Sequence, residues 1–150
     1  MDMNFAEFFN HEIDFSGTKV ALIIGNKVLS TLRDDIPTIP FPDMWELPGG
    51  CREANESGFE CGQREIWEEL GINLDKASLL WVKQYKGLVS DKNSFFAVAT
   101  ISQSQIDQIK FGDEGQGYKL MTFSEFLNDS NVIPGLKVRL QDYLQATNQS

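Results

Sequence analysis

A chain of 150 residues with 41% hydrophobic side chains is long enough to bury a core without disulfide or metal staples, and a single domain over residues 1–150 is expected. The formal net charge of -9, with only 13 Lys and Arg spread along the chain, excludes a surface built for a nucleic-acid polymer; a phosphate-bearing ligand would need cations to mediate part of the attraction. No apolar run approaches the roughly 18 residues of a membrane helix and no basic-plus-apolar leader opens the chain, so a cytoplasmic protein with no membrane partner is expected.

Phe5, Phe8 and Phe9 stand at near-helical spacing and mark either a short leading helix or an arm. His11 has no ligand-type neighbour in sequence and is assigned no role. Residues 19–24 and 27–32 are β-rich runs separated by Gly25-Asn26, the two-residue connection that closes a hairpin. Residues 33–43 hold three of the five prolines and predict a stiff, irregular loop. In it, Arg33 and Phe41 either meet a phosphate and a ring, or cover a connection in which Arg33 pairs with a neighbouring Asp. Residues 44–47 predict a short strand ended by Pro48, which feeds a Gly49-Gly50 turn.

A helix is predicted over 58–70. Ser57 with Glu60 three residues on is a capping box, and Gly71 suits the residue that ends a helix. Phe59, Gly62, Ile66 and Leu70 form its apolar stripe, next to the acids Glu65, Glu68 and Glu69 at i, i+3 and i+4. Three carboxylates so close repel one another unless something positive sits between them, and a hard divalent cation with oxygen ligands is the natural candidate. Cys51 and Cys61 form neither a C-x-x-C pair nor a Cys/His cluster and are read as reduced thiols.

Further strands are predicted over 78–86 and 94–101, joined by a polar turn at 90–93, then a helical turn over 102–108 capped by Ser102. A loop over 111–118 sets Gly112, Gly115 and Gly117 around Asp113 and Glu114. A strand over 119–122, a helical segment over 124–127 and an amphipathic helix over 135–145 complete an α/β layered domain with a mixed sheet.

Residues 50–72 carry Gly50, five residues, Glu56, seven residues, then Arg64-Glu65-Ile66-x-Glu68-Glu69-x-Gly71-Ile72. This stretch resembles the Nudix box, and the chain is similar to MutT-like members of the Nudix hydrolase superfamily. Ala54-Asn55 stands where many members have Pro-Gly, and Gly62 where Ala is usual. The resemblance implies an α/β/α sandwich with the box as a loop-helix-loop. It implies Glu65, Glu68 and Glu69 as catalytic Mg²⁺-binding acids, with Mn²⁺ able to substitute and the Gly49 carbonyl as a further ligand. Arg64 and Glu56 match the pair that braces the helix, with Gly50 and Gly71 as structural support. The general base is a box acid, Glu53, or Glu114 in the downstream loop, which also joins the metal site; the alternative for Glu114 is a solvated turn acid. Phe41, Phe95 and Tyr118 either stack on a base or belong to the core. The proline and tyrosine that mark ADP-ribose and dinucleoside polyphosphate hydrolases are not found, since Gly87 and Leu88 occupy that region. That leaves a nucleoside triphosphate pyrophosphatase, with those two hydrolases or a non-catalytic nucleotide-binding domain as alternatives, acting on a small nucleotide and able to pair as a homodimer.

Overall fold

The computed structural model describes residues 5–87 and 91–148. Helix α1 (Phe5–Phe8) leads into strands β1 (Gly17–Ile24) and β2 (Lys27–Leu32), followed by β3 (Trp45–Glu46), β4 (Gly49–Cys51) and α2 (Gly58–Leu70). Strands β5 (Leu79–Lys86) and β6 (Asn93–Thr100), helix α3 (Gln103–Asp107), strand β7 (Gly117–Thr122) and helices α4 (Phe123–Asn128) and α5 (Pro134–Ala146) follow. Of the turn expected at 90–93, Ser90 lies outside the described residues, as does Leu88.

The sheet runs β3-β2-β1-β6-β5, with β4 also paired to β1 and β7 to β2. Only β1 and β6 run parallel, so the sheet is mixed as expected. Alternation along the strands divides two cores. Val20, Leu22, Phe95, Ala97 and Ala99 join α2's Phe59, Ile66 and Leu70 on one face. Ala21, Ile23, Phe96 and Val98 join α4's Phe126 and α5's Leu136, Leu140 and Leu144 on the other. Two helical layers on a sheet make the α/β sandwich that the resemblance implies.

The leading segment is a docked helix. Phe8 is fully buried and meets Phe59 and Phe95 edge to face, at centroid distances of 6.1 and 5.2 Å. Phe95 is thus a core residue and cannot stack on a ligand.

Gly49-Gly50 is not a turn. Both residues belong to strand β4, where Lys19 opposes Gly49 and Thr18 opposes Gly50. Gly49 has φ 134°, and a Cβ there would overlap the Thr18 carbonyl. The glycines let two backbones meet where a side chain would hold them apart. The pairing lengthens β1 to Gly17, two residues earlier than its β-rich run suggests. Gly62 has a similar cause: a Cβ would stand 3.1 Å from Thr18 Cγ2 and 3.3 Å from Val20 Cγ2, tighter than ordinary packing, so α2 lies close on β1.

Helix α2 spans the expected residues. Ser57 Oγ accepts from the Glu60 N–H at 3.2 Å and Glu60 Oε1 from the Ser57 N–H at 3.0 Å, while Gly71 closes the helix at φ 67°. Replacing Ser57 by Ala is expected to lower stability by about 1 kcal/mol in urea unfolding. An unchanged midpoint would mean that the cap does not hold the helix.

Candidate active site

The last turns of α2 carry the acids to one end of the sheet. Glu65 lies directly over β4: a Cβ on Gly50 would fall 2.5 Å from its carboxyl carbon, so glycine there lets the carboxyl rest close on the strand. Its carboxyl is pushed above the usual range by burial, against the nearby Arg64. Glu69 accepts the Gly49 N–H at 3.0 Å. Burial pushes its carboxyl up to about 8, with the charges of Glu65 and Glu46 acting in the same direction and Lys19 opposing.

The positive group between the acids is, in the first instance, an arginine. Arg64 Nε donates to Glu56 Oε2 at 2.7 Å, Nη2 to Glu56 Oε1 at 3.1 Å and to the Cys51 carbonyl at 2.8 Å. Its Nη1 donates to Glu65 Oε1 and Glu68 Oε1, each at 3.1 Å, and stands 3.3 Å from Glu53 Oε2. Burial alone would raise the Glu56 carboxyl, but the Arg64 hydrogen bonds and the Glu53 N–H hold it below the ordinary carboxylate value. Glu56 and Arg64, the pair the resemblance implies, are thus joined by two hydrogen bonds, and the same guanidinium also contacts Glu68 and Glu53 beside the adjoining cavity.

That cavity encloses about 700 Å³, and its walls include Glu65, Glu69, Gly49, Glu114, Arg33 and Phe41. Glu68, Glu53 and Tyr118 are not on its walls; the Glu68 and Glu53 side chains are 55% and 68% exposed. Tyr118 belongs to β7 rather than the loop and packs against Phe111, which does line the cavity. Glu114 reaches the wall because its loop is pinned on α2. The Gly112 N–H donates to the Glu69 carbonyl at 2.8 Å, and a Cβ on Gly112 would stand 2.5 Å from the Glu68 carbonyl oxygen.

Charged wall residues that escaped the sequence reading include Glu46, Lys19 and Arg139 of α5. Glu46 is 8% exposed, and both of its oxygens accept from Arg33 Nη1 at 3.1 Å while Oε1 also takes Lys19 Nζ at 2.9 Å. Arg33 thus pairs with Glu46, not with a neighbouring Asp. The antiparallel register that sets Thr31 opposite Glu46 makes this contact, and a linear sequence does not display it. Lys19 Nζ also donates to the Gly49 carbonyl at 3.2 Å. Neither Cys51 nor Cys61 is in a disulfide; burial pushes the Cys61 thiol up to about 12, and its Sγ lies 3.4 Å from the Gly50 carbonyl oxygen.

Among the described residues, no three His, Cys, Asp or Glu side chains are already gathered as a metal-ligand set. The wall nonetheless brings together a set of oxygen donors: the carboxylates of Glu65, Glu69 and Glu114 and the Gly49 carbonyl. Such a set fits Mg²⁺ or Mn²⁺ and does not suit a soft metal.

Glu56 and Glu69 bias stability oppositely in metal-free protein. Glu56, depressed when folded, stabilises above the unfolded value near 4.5, and that contribution is lost as pH falls through its folded pKa. Glu69, raised to about 8 when folded, favours the fold below 4.5 and loses that contribution as pH rises to 8. In urea unfolding with EDTA, Glu56→Gln is expected to flatten the acid limb and Glu69→Gln the decline between pH 4.5 and 8. Parallel wild-type and variant profiles would contradict these environments.

The family model for the NUDIX domain matches residues 17–141. A Bacillus subtilis (strain 168) protein named "Putative 8-oxo-dGTP diphosphatase" is 31% identical over 124 residues, 83% of this chain and 75% of that protein. Among solved structures, a NUDIX hydrolase from Nitrosomonas europaea aligns at TM-score 0.68 and 19% identity over 92% of this chain and 76% of that one. A bifunctional NMN adenylyltransferase/ADP ribose pyrophosphatase from Francisella tularensis, complexed with AMP and a Mn ion, aligns at TM-score 0.65 and 18% identity; the match covers 90% of this chain but only 42% of that one. Among the described residues no helix is long and apolar enough to cross a membrane. Fold, box and family match agree: the chain belongs to the Nudix superfamily and is a Nudix pyrophosphohydrolase.

Proposed function

We propose that this protein is a cytoplasmic, Mg²⁺-dependent hydrolase of a diphosphate bond in a nucleoside diphosphate linked to another group, with a nucleoside triphosphate as substrate. The observation that carries the reading is a single cavity that brings Glu65, Glu69 and Glu114 together with Arg33, Lys19 and Phe41. Acidic donors at one end suit metal-bound phosphates, and basic and aromatic groups elsewhere suit the rest of a nucleotide. The Bacillus subtilis relative, named for a nucleoside triphosphate, supports the same substrate class.

Glu65, Glu69 and the Gly49 carbonyl would hold the cation, joined by Glu68 once its exposed side chain turns away from Arg64. Mg²⁺, or Mn²⁺ in its place, supplies neutralisation of the diphosphate charge and polarisation of its phosphoryl oxygens. Water attacks a phosphorus atom and the bridging P–O bond breaks, so a nucleoside triphosphate yields nucleoside monophosphate and pyrophosphate. Glu114 is the proposed acceptor of the water's proton, because its glycine-flanked loop sits on the end of α2. Glu46 fixes Arg33 and Lys19 at the cavity wall, where the two cations face the incoming anion.

The test is a product-resolved assay over nucleoside triphosphates, 8-oxo-dGTP, ADP-ribose and dinucleoside polyphosphates with Mg²⁺ or Mn²⁺. Nucleoside monophosphate and pyrophosphate are the expected products. Glu69→Gln and Glu68→Gln should lower kcat at least ~100-fold while the thermal transition survives, and Glu114→Gln should do the same with metal affinity retained. Undiminished turnover in Glu68→Gln and Glu69→Gln would overturn the reading.

A further inference from the structure

Lys19 is a charged residue on β1, the central strand of the sheet. Its neighbours Thr18 and Val20 meet α2 at Gly62, so alternation turns Lys19 to the opposite side, where it lines the cavity with its side chain 20% exposed. Two acceptors hold its ammonium: Glu46 Oε1 at 2.9 Å and the Gly49 carbonyl at 3.2 Å. The register makes the second contact, because Lys19 stands directly opposite Gly49 in the pairing of β1 with β4. Gly49 in turn donates its N–H to Glu69 at 3.0 Å. A single glycine thus bonds the ammonium on its carbonyl and the buried acid on its amide.

Glu46 does not account for the lysine. Arg33 Nη1 already donates to both of its oxygens, so one carboxylate faces two cations and the cluster carries positive charge in excess. Lys19 presents that excess to Gly49, and its charge reaches Glu65 and Glu69, where it opposes the rise that burial causes. A half-buried ammonium is therefore set against an oxygen that the proposed cation needs. Mg²⁺ binds its oxygen ligands at about 2.1 Å, so metal and ammonium on this one carbonyl would stand within about 5 Å of each other and repel.

We infer that Lys19 is a positioning residue that stands in for the cation in metal-free protein: its ammonium takes the Gly49 carbonyl and leaves it when a divalent ion binds there. The inference rests on the cation site proposed above and adds to it a competitor built into the chain. Lys19 holds β4 and the acids together without metal, and weakens metal binding by doing so. Off the carbonyl it stays tethered to Glu46, with an N–H group released for the anion that arrives with the ion.

The test is Mn²⁺ affinity, read from the free ion by electron paramagnetic resonance. Lys19→Met, which keeps the stem and loses the ammonium, should bind Mn²⁺ at least about tenfold more tightly than wild type, whereas Arg33→Met should gain less than about threefold. Arg33 is the control because it carries the same charge and shares Glu46, but donates to the Pro40 carbonyl rather than to Gly49. An equal gain in the two variants would reduce Lys19 to one more repelling charge, and weaker binding in folded Lys19→Met would make it a prop for the carbonyl; either result overturns the inference. In wild-type protein labelled with ¹³C-lysine, saturating Mg²⁺ should move the Lys19 ε-methylene signal more than that of any other lysine. An unmoved signal would overturn the inference without any variant. Wild-type protein that binds no Mn²⁺ would instead refute the proposed cation site, and this inference with it.

Discussion

Crowding carboxylates at the end of one helix costs free energy unless positive charge is supplied, and most of the site follows from how this chain supplies it. Arg64 brings one guanidinium among Glu53, Glu56, Glu65 and Glu68, and Lys19 stands against Glu46 near Glu69. Arginine suits the first task because its planar fork serves several oxygens at once and stays charged. The neutralisation is incomplete. Glu65 remains raised by burial although Arg64 contacts it, and Glu69 is raised with no cation paired to it among the described residues, so Glu69 above all carries the signature of a group whose charge awaits a partner.

Close backbone approach is the second constraint, and it is met by glycine at each junction around the acids. Gly49 and Gly50 let β4 press on β1 and make room for Glu65, Gly62 seats α2 on β1, and Gly112 sets the Glu114 loop on the helix end. The backbone around the acids is thus brought close from three directions, while Arg64 contacts Glu65 and Glu68 directly. On the other face, α5 closes the same cavity with Arg139.

The parts legible in the sequence are those whose cause is local. The capping box, the ending glycine and the i, i+3, i+4 acids define α2 within one stretch of chain, and the structure places the helix over the same residues. Gly25-Asn26 likewise closes its hairpin, with Ile24 opposite Lys27. What was misread or left open depends on distant partners. The pairing of Gly49-Gly50 with β1 turns an apparent turn into a strand, and the burial of Phe95 comes from Phe8 and Phe15, some eighty residues away in sequence. The Arg33–Glu46 pair needs the register of β2 against β3.

The central claim is that the residual charge at Glu65 and Glu69 is completed by a hard divalent cation. It is tested most directly by titrating Mn²⁺ into the protein and following free ion by electron paramagnetic resonance, with Mg²⁺ as competitor. The account predicts saturable Mn²⁺ binding that Mg²⁺ displaces, that strengthens as pH rises towards 8, and that weakens at least about tenfold in Glu69→Gln. Equal Mn²⁺ affinity in wild type and Glu69→Gln, or no binding to the wild-type protein across that range, would contradict it.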